Sequence, residues 1–226
     1  MMPRFLAGFT GLWLILTSGL QAEEVVPAER EAGFVSLFDG ATLSGWTGAV
    51  NGYEVVDGAI QCRPNAGGNL LTEKEYADFE LRFEFRLPPG GNNGIGLRAP
   101  ARGHVATEGL EIQILDNTAA KYKTLAAYQY HGSVYGLIPA RRGFLREVGV
   151  WNEQSIRCVG PEIEVRLNGE PIAQGRLDEV LARGTLDGKD HPGARRPRGH
   201  IGFLGHNDPV AFRSIRIREI PPSRHP

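Results

Sequence analysis

The sequence has 226 residues, of which 25 are Lys or Arg and 26 are Asp or Glu, so its formal net charge is −1 at pH 7. A chain without a strong positive field is not expected to bind nucleic acid, because phosphate recognition depends on clustered cations. The length is sufficient for one domain with a core that needs no disulfide or metal to hold it together.

The first 22 residues have the layout of a secretory signal peptide. A positive start at Met1–Arg4 precedes the apolar run Phe5–Leu16, and Ala22 is a small residue at a plausible cleavage point. The apolar run is shorter than the roughly 20 residues that span a bilayer, although a retained N-terminal anchor is the alternative. We expect export to the periplasm or the medium, with no membrane attachment after the signal is removed. A short extension, residues 23–33, would then precede a single domain at residues 34–221.

Short segments with two-residue periodicity dominate the rest of the chain. In Asp78–Pro88, five apolar residues alternate with four charged ones, which predicts a strand buried on one face. A hairpin is predicted around Asn168-Gly169, the preferred residue pair of a tight hairpin turn. Further strands are predicted at Tyr53–Val56, Ala59–Cys62, Arg157–Val159, His200–Leu204 and Val210–Ile217, and one short helix at Leu177–Arg183. Many short strands separated by turns predict an all-β fold, a two-sheet antiparallel β-sandwich.

Two cysteines, Cys62 and Cys158, lie far apart within strand-like segments. Export would permit a disulfide between them. Two separate buried thiols are the alternative, because an unpaired cysteine packs as a small hydrophobic residue.

The segment 109–116 is the most informative about chemistry. Leu110, Ile112 and Ile114 alternate with Glu111 and Gln113, so a strand would turn the apolar three into the core and the polar two onto the opposite face. A carboxylate beside an amide can exchange a proton next to a hydrogen-bonded hydroxyl or carbonyl. An ordinary solvated strand face is the alternative interpretation.

Two neighbouring segments contain further polar and aromatic residues. A glycine-rich stretch at residues 90–97 runs into Arg98 without the Lys-Ser/Thr of a phosphate-binding loop. Residues 127–136 contain Tyr128, Tyr130, His131 and Tyr135, and aromatic rings with hydroxyl groups can both stack on sugars and hydrogen-bond to them. Tyrosines at the rim of a core would give the same pattern.

Motifs in order along most of the chain resemble the 3-keto-disaccharide hydrolase domain family. Leu37–Trp46, which reads LFDGATLSGW, resembles the family's opening "LFNG-x-x-L-x-GW". Asn93–Arg98 resembles its "N-S-G-I-x-x-R" segment and Glu111–Asp116 its "E-x-Q-I-L-D" strand. Tyr135–Gly136 resembles its "Y-G" segment and Trp151–Asn152 its "W-N" segment. Ile201–His206 and Val210–Ile217 resemble its two closing motifs.

The resemblance implies a concanavalin A-like jelly roll and a substrate already oxidised at the sugar 3-hydroxyl by a separate oxidoreductase. The ketone at C3 makes the C2 proton acidic, so a base can remove it. The C1 substituent can then leave by β-elimination. The enzyme is a lyase if it releases the unsaturated sugar and a hydrolase if water is then added to it. Such an enzyme needs a base, a group that stabilises the enolate oxygen and an acid for the leaving group.

Eight residues are candidates for these roles and for binding the sugar. Glu111 would be the base or a metal ligand, Arg98 would stabilise the enolate, and His131 would be an acid, base or ligand. A divalent metal ion could be the electrophile through Glu111 and a histidine, although the sequence has no compact ligand cluster. The substrate-binding candidates are Gln113, Tyr130, Tyr135, Trp151 and His206.

Three other functions remain open at this stage. A retaining glucanase would need two carboxyl groups about 5–5.5 Å apart, for which Glu111 and Asp116 are the candidates. A lectin-like module would bind unmodified sugars without turnover. A partner-binding domain of an envelope assembly would expose a contiguous apolar patch.

Overall fold

The computed structural model describes residues 25–221 and shows two antiparallel β-sheets packed face to face. The predicted signal peptide, residues 1–22, lies outside the described residues, so export stays a prediction. Within residues 25–221, no helix is both long enough and apolar enough for a membrane span.

Thirteen strands and three short α-helices make up the regular structure of the described part of the chain. The strands are β1 Val35–Ser36, β2 Trp46–Gly48, β3 Tyr53–Val56, β4 Ala59–Cys62, β5 Gly67–Tyr76, β6 Phe79–Arg86, β7 Asn92–Ala99, β8 Leu110–Leu115, β9 Trp151–Val159, β10 Glu162–Leu167, β11 Glu170–Arg176, β12 Gly199–His206 and β13 Ala211–Glu219. The helices are α1 Pro27–Glu31, α2 Val105–Glu108 and α3 Leu177–Arg183. Single 3₁₀ turns occur at Val50–Gly52, Ala120–Tyr122, Ala127–Gln129 and Pro192–Arg195.

The larger sheet has eight strands in the order β11-β10-β9-β6-β13-β4-β3, with β1 paired to β13 beside this path. The smaller sheet has five strands in the order β2-β5-β12-β7-β8. The core lies between the sheets, where Phe203 of β12 and Phe212 of β13 stack with ring centroids 4.0 Å apart. The two-sheet jelly-roll sandwich predicted from the sequence is confirmed.

Strand periodicity and turn chemistry located most elements correctly. Phe79, Leu81, Phe83 and Phe85 of β6 are all buried, as the alternation requires. The predicted hairpin turns through Asn168-Gly169, where both residues have positive φ, 50° and 91°. Helix α3 occupies the predicted residues and ends immediately before Gly184.

Strand β5 and helix α1 had no clear signal in the sequence. Residues 67–76 lack an alternating pattern, because both faces of β5 carry a mixture of polar and apolar side chains. Helix α1 has only five residues, and ion pairs place it on the outer face of the larger sheet. The carboxylate of Glu29 binds Arg82 at 2.9 Å and Arg216 at 2.5 Å.

The two cysteines are separate buried thiols rather than a disulfide. Cys62 lies on β4 and Cys158 on β9, and strands β6 and β13 separate them within the sheet. Neighbouring strands are about 4.8 Å apart, so the two residues are too distant for a disulfide, which needs Cα atoms within about 7 Å. Burial raises the pKa of the Cys158 thiol to about 11 and keeps it protonated.

Candidate active site

Strand β8 separates apolar from polar side chains as its alternation predicts. Leu110, Ile112 and Ile114 belong to the core between the sheets. Glu111 and Gln113 lie on the opposite face of the smaller sheet and line a cleft of about 250 Å³. The cleft is lined by Asn92, His104, Ala106, Glu111, Gln113, Leu115, Tyr122, Leu125, Gln129, Tyr135, Lys189 and His206.

Glu111 is the carboxylate of this cleft. Its side chain is 7% exposed, and burial raises its pKa to about 7. Within residues 25–221 it has no hydrogen-bond donor and no ion-pair partner. A buried carboxylate without a partner is costly to ionise, and such a group is suited to take up and release a proton near neutral pH.

Gly94 of β7 forms the surface against which the Glu111 side chain lies. A Cβ atom at Gly94 would be 2.3 Å from Glu111 Oε1 and 2.9 Å from its Cδ and Cγ. The absence of a side chain at residue 94 therefore makes the space that the carboxylate occupies.

Replacing Gly94 with alanine is expected to displace the Glu111 carboxylate and lower kcat. A displacement of about 1 Å at a reacting group can cost about 100-fold in rate. The turnover of the purified Gly94→Ala protein, compared with that of the wild type, measures this loss. The matched control is Gly96→Ala on the same strand, where the new methyl group meets Val105 and Leu204 side chains instead. Equal activity of the two variants would contradict this function of Gly94.

Two amide side chains orient polar groups around Glu111. Gln113 donates from Nε2 to Asn92 Oδ1 at 2.7 Å, and Gln129 donates from Nε2 to the Tyr135 phenol at 3.0 Å. Gln129 is itself fixed by the amide of Ala126, which donates to its Oε1 at 3.0 Å. Because the Tyr135 oxygen accepts a hydrogen bond, its own proton is available to a ligand in the cleft.

Two histidines also line the cleft, the predicted His206 and the unpredicted His104. Desolvation lowers the pKa of His206, although the side chain is exposed at the cleft, and nearby Asp208 acts in the opposite direction. In the described part of the chain, no group of three or more His, Cys, Asp or Glu side chains is close enough to hold a metal ion. These donors do not form a protein-built metal site, and we derive no reaction step through a metal.

Arg98 is not in the cleft, contrary to the expectation from the sequence. Its guanidinium donates to the carbonyl oxygens of Ala77, Gly160 and Arg196 and pairs with Asp78 at 3.0 Å. The side chain is 3% exposed and borders a different groove, about 670 Å³ in volume and mainly apolar. Arg98 therefore connects loops at another part of the sandwich and does not meet substrate at Glu111.

His131 lies between the two sheets rather than in the cleft. Its ring stacks on Phe85 with centroids 5.0 Å apart, and Nδ1 accepts a hydrogen bond from the amide of Leu115. Burial lowers its pKa to about 3, with only a partial opposing effect from Gln154. The expected role as acid, base or metal ligand is therefore not available to His131.

Two aromatic candidates also lie elsewhere. Trp151 is on the outer face of the larger sheet, between the guanidinium groups of Arg86 and Arg213 at 4.8 and 4.2 Å from its ring. Tyr130 is buried and donates from its hydroxyl to the carbonyl of Lys123. Of the eight candidate residues predicted from the sequence, the structure brings four together: Glu111, Gln113, Tyr135 and His206.

Residues 33–218 match the family described as the 3-keto-alpha-glucoside-1,2-lyase-like domain. The chain belongs to this family. A 3-keto-disaccharide hydrolase from Bacteroides thetaiotaomicron is 24% identical, in an alignment that covers 82% of this chain and 78% of that protein.

Solved structures agree with membership of the 3-keto-alpha-glucoside-1,2-lyase-like family. A glycosyl hydrolase-like protein from Parabacteroides distasonis has a TM-score of 0.73 and 26% identity, covering 83% of this chain and 99% of that one. A carbohydrate binding module from Bacillus subtilis shares the fold alone, with a TM-score of 0.53 and 12% identity over 79% of this chain and 98% of that one. Family and fold together support a carbohydrate-active function.

The geometry disfavours a retaining glucanase. Asp116, the only candidate for a second carboxyl group, accepts hydrogen bonds from the Gly90 amide at 2.8 Å and from the amide and hydroxyl of Thr118 at 2.9 and 2.6 Å. It holds its loop and does not line the cleft. Among the cleft-lining residues that the structure describes, Glu111 is the single carboxylate, whereas that mechanism needs two.

Several cleft residues had no usable signal in the sequence. Asn92 was visible only as part of a glycine-rich stretch, and Gln129 only as a neighbour of tyrosines. Lys189 comes from the loop after α3, far along the chain from β8. Only the fold brings that loop to Glu111, so no local pattern could have identified it.

Proposed function

We propose that the protein cleaves the glycosidic bond of 3-keto-glycosides, and that Glu111 begins the reaction by removing the proton at C2. The observation that supports this most directly is the single buried carboxylate of the cleft, whose pKa lies at about 7. A C3 ketone makes the C2 proton acidic enough for one carboxylate base. Membership of the 3-keto-alpha-glucoside-1,2-lyase-like family agrees with this chemistry.

The steps can be written without a metal or cofactor. The C2 proton moves to Glu111, and the C2–H electron pair forms an enolate with its charge on the C3 oxygen. The oxygen electron pair then re-forms the C3 carbonyl, and the C2=C3 electron pair becomes the C1=C2 double bond as the C1–O bond breaks. The departing alkoxide takes up, directly or through water, the proton that Glu111 removed, which regenerates the base. The unsaturated sugar is then released by a lyase or hydrated by a hydrolase. Tyr135, whose hydroxyl proton is free, can donate a hydrogen bond to a substrate oxygen.

The pH profile gives a direct prediction. Glu111 acts as a base only when ionised, and its pKa is raised from 4.5 to about 7. We therefore expect log kcat/KM to rise with a slope of about one up to roughly pH 7 and to level above it, because kcat/KM reports the free enzyme. Initial rates between pH 5 and 8.5 measure this profile. A plateau that already begins near pH 4.5 would contradict it.

The proposal is tested by mass spectrometry of the purified protein with 3-keto-trehalose and 3-keto-lactose, beside the unoxidised disaccharides and with and without EDTA. Monosaccharide release from the keto sugars alone supports the proposal. Loss of activity with EDTA would show a metal requirement. Binding of sugars without any cleavage would instead support the lectin-like function that the fold shared with the Bacillus subtilis module allows.

The cellular context follows from the same proposal. A substrate that carries a C3 ketone must come from an oxidoreductase that acts on the sugar 3-hydroxyl. Export to the periplasm or medium, proposed from residues 1–22, would place cleavage outside the cytoplasm.

A further inference from the structure

The loop between α3 and β12 brings a positive charge to the cleft. Lys189 is the one lysine or arginine among the described residues that line it. Its ammonium group has no carboxylate partner within residues 25–221, whereas the guanidinium of Arg98 is already bound by protein groups. The cleft is therefore lined by one exposed lysine and by the single buried carboxylate Glu111.

Backbone hydrogen bonds connect this loop to the strand that holds Glu111. The amide of Tyr135 donates to the carbonyl of Glu111 at 2.9 Å, and the amide of Leu186 donates to the carbonyl of Gly136 at 2.7 Å. Because Tyr135 and Gly136 are adjacent, two hydrogen bonds fix the loop relative to the base.

Side chains within the loop fix the main chain of Lys189 on both sides. Asp187 accepts the amide proton of Lys189 at 3.1 Å, and the hydroxyl of Thr185 donates to the carbonyl of Lys189 at 2.7 Å. The fully buried His191 binds both oxygens of Asp187 at 3.0 and 3.1 Å. This pair packs on Gly136, where a Cβ atom would be 2.7 Å from Asp187 Oδ2 and from His191 Nε2. These contacts fix the point on the loop from which the exposed Lys189 side chain extends.

We infer that Lys189 stabilises the enolate oxygen at C3, the role that the sequence assigned to Arg98. The inference rests on the proposed function and names a catalytic residue for it. Removal of the C2 proton places negative charge on the C3 oxygen, and an ammonium group opposite that oxygen stabilises the charge as it develops. The ammonium donates a hydrogen bond and keeps its proton, so the C2 proton still goes to Glu111.

The test isolates enolate formation from bond cleavage. The 3-keto derivative of 1,5-anhydroglucitol has no exocyclic leaving group at C1, so in deuterium oxide the protein exchanges its C2 proton without cleaving a glycoside. Proton NMR follows the loss of the C2 signal. The C4 proton is the internal control, because it is also adjacent to the C3 ketone. Its exchange measures the background rate that does not depend on the position of Glu111.

We expect Lys189→Met to slow C2 exchange roughly 10²- to 10³-fold, the loss typical of removing one oxyanion donor, while Lys189→Arg retains most of the rate. The matched control is Lys123→Met, which removes an exposed lysine that does not line the cleft. If Lys189→Met exchanges the C2 proton at the wild-type rate while Glu111→Gln does not exchange it, the role assigned to Lys189 is wrong and the proposed function stands. If the wild-type protein neither exchanges C2 nor cleaves 3-keto-trehalose, the proposed function itself fails and the inference with it.

Discussion

We expect the Glu111→Gln protein to cleave 3-keto-trehalose roughly 10²- to 10⁴-fold more slowly than the wild type, and to be the more stable protein above pH 7. Glutamine has the shape of glutamic acid but cannot accept the C2 proton. Because Glu111 has no partner among the described residues, the substitution breaks no hydrogen bond or ion pair. Activity and stability should therefore change in opposite directions.

The raised pKa of Glu111 determines at which pH the Glu111→Gln protein is more stable than the wild type. The folded protein binds a proton at Glu111 with a pKa of about 7, against 4.5 for the ordinary group. The stability that comes from this protonation is present below pH 4.5 and is lost as the pH rises to about 7. Above pH 7 the ionised, buried carboxylate costs about 3 kcal/mol, since each pKa unit corresponds to about 1.4 kcal/mol.

Urea unfolding at pH 4 and pH 8.5 measures this difference. The Glu111→Gln protein should unfold at higher urea than the wild type at pH 8.5 and at similar urea at pH 4. Glu73→Gln is the matched control, because Glu73 is exposed and lies outside the cleft. Equal midpoints at pH 8.5 for wild type and Glu111→Gln would show that burial does not penalise the Glu111 charge.

Replacing Arg98 with methionine is expected to destabilise the fold by about 3 kcal/mol without impairing catalysis in the folded protein. Removing one partner of a buried ion pair typically costs about 3–5 kcal/mol, and the lower end applies because the Asp78 side chain is 23% exposed. Three carbonyl oxygens also lose their donor. For a domain of this size, the melting temperature should fall by about 10 °C.

Thermal unfolding and kcat below the melting temperature separate the two possible roles of Arg98. Arg102→Met is the matched control, since Arg102 is exposed, four residues away, and outside the cleft. A stable Arg98→Met protein with a large loss of kcat would contradict the structural role and indicate that Arg98 takes part in catalysis.

The example of Arg98 shows where strand alternation stops being informative. Gly94, Gly96 and Arg98 have the same parity in β7, so alternation alone places all three on the cleft face. The pairing with β12 is irregular, however, because Gly96 pairs with Gly202 and Ala99 with His200. Arg98 has a positive φ of 46° at this bulge, and a bulge redirects a side chain.

His131 and Trp151 failed as candidates for different reasons. His131 lies in an irregular segment, where no periodicity indicates which way a side chain points. Trp151 begins β9, and the buried residues Asn152 and Gln154 follow the opposite parity, so alternation places Trp151 on the outer face of the larger sheet. By contrast, Glu111 and Gln113 were correctly placed because β8 is regular and its other face is wholly apolar.

A deuterium label at C2 of 3-keto-trehalose tests most directly whether this cleft removes that proton. Cleavage rates of the labelled and unlabelled sugars are compared under saturating substrate, with NMR analysis of the label in the product. We predict slower cleavage of the labelled sugar and loss of the C2 deuterium to solvent, both abolished in Glu111→Gln. Equal rates together with full retention of deuterium at C2 would contradict proton removal by Glu111 and the function proposed from it.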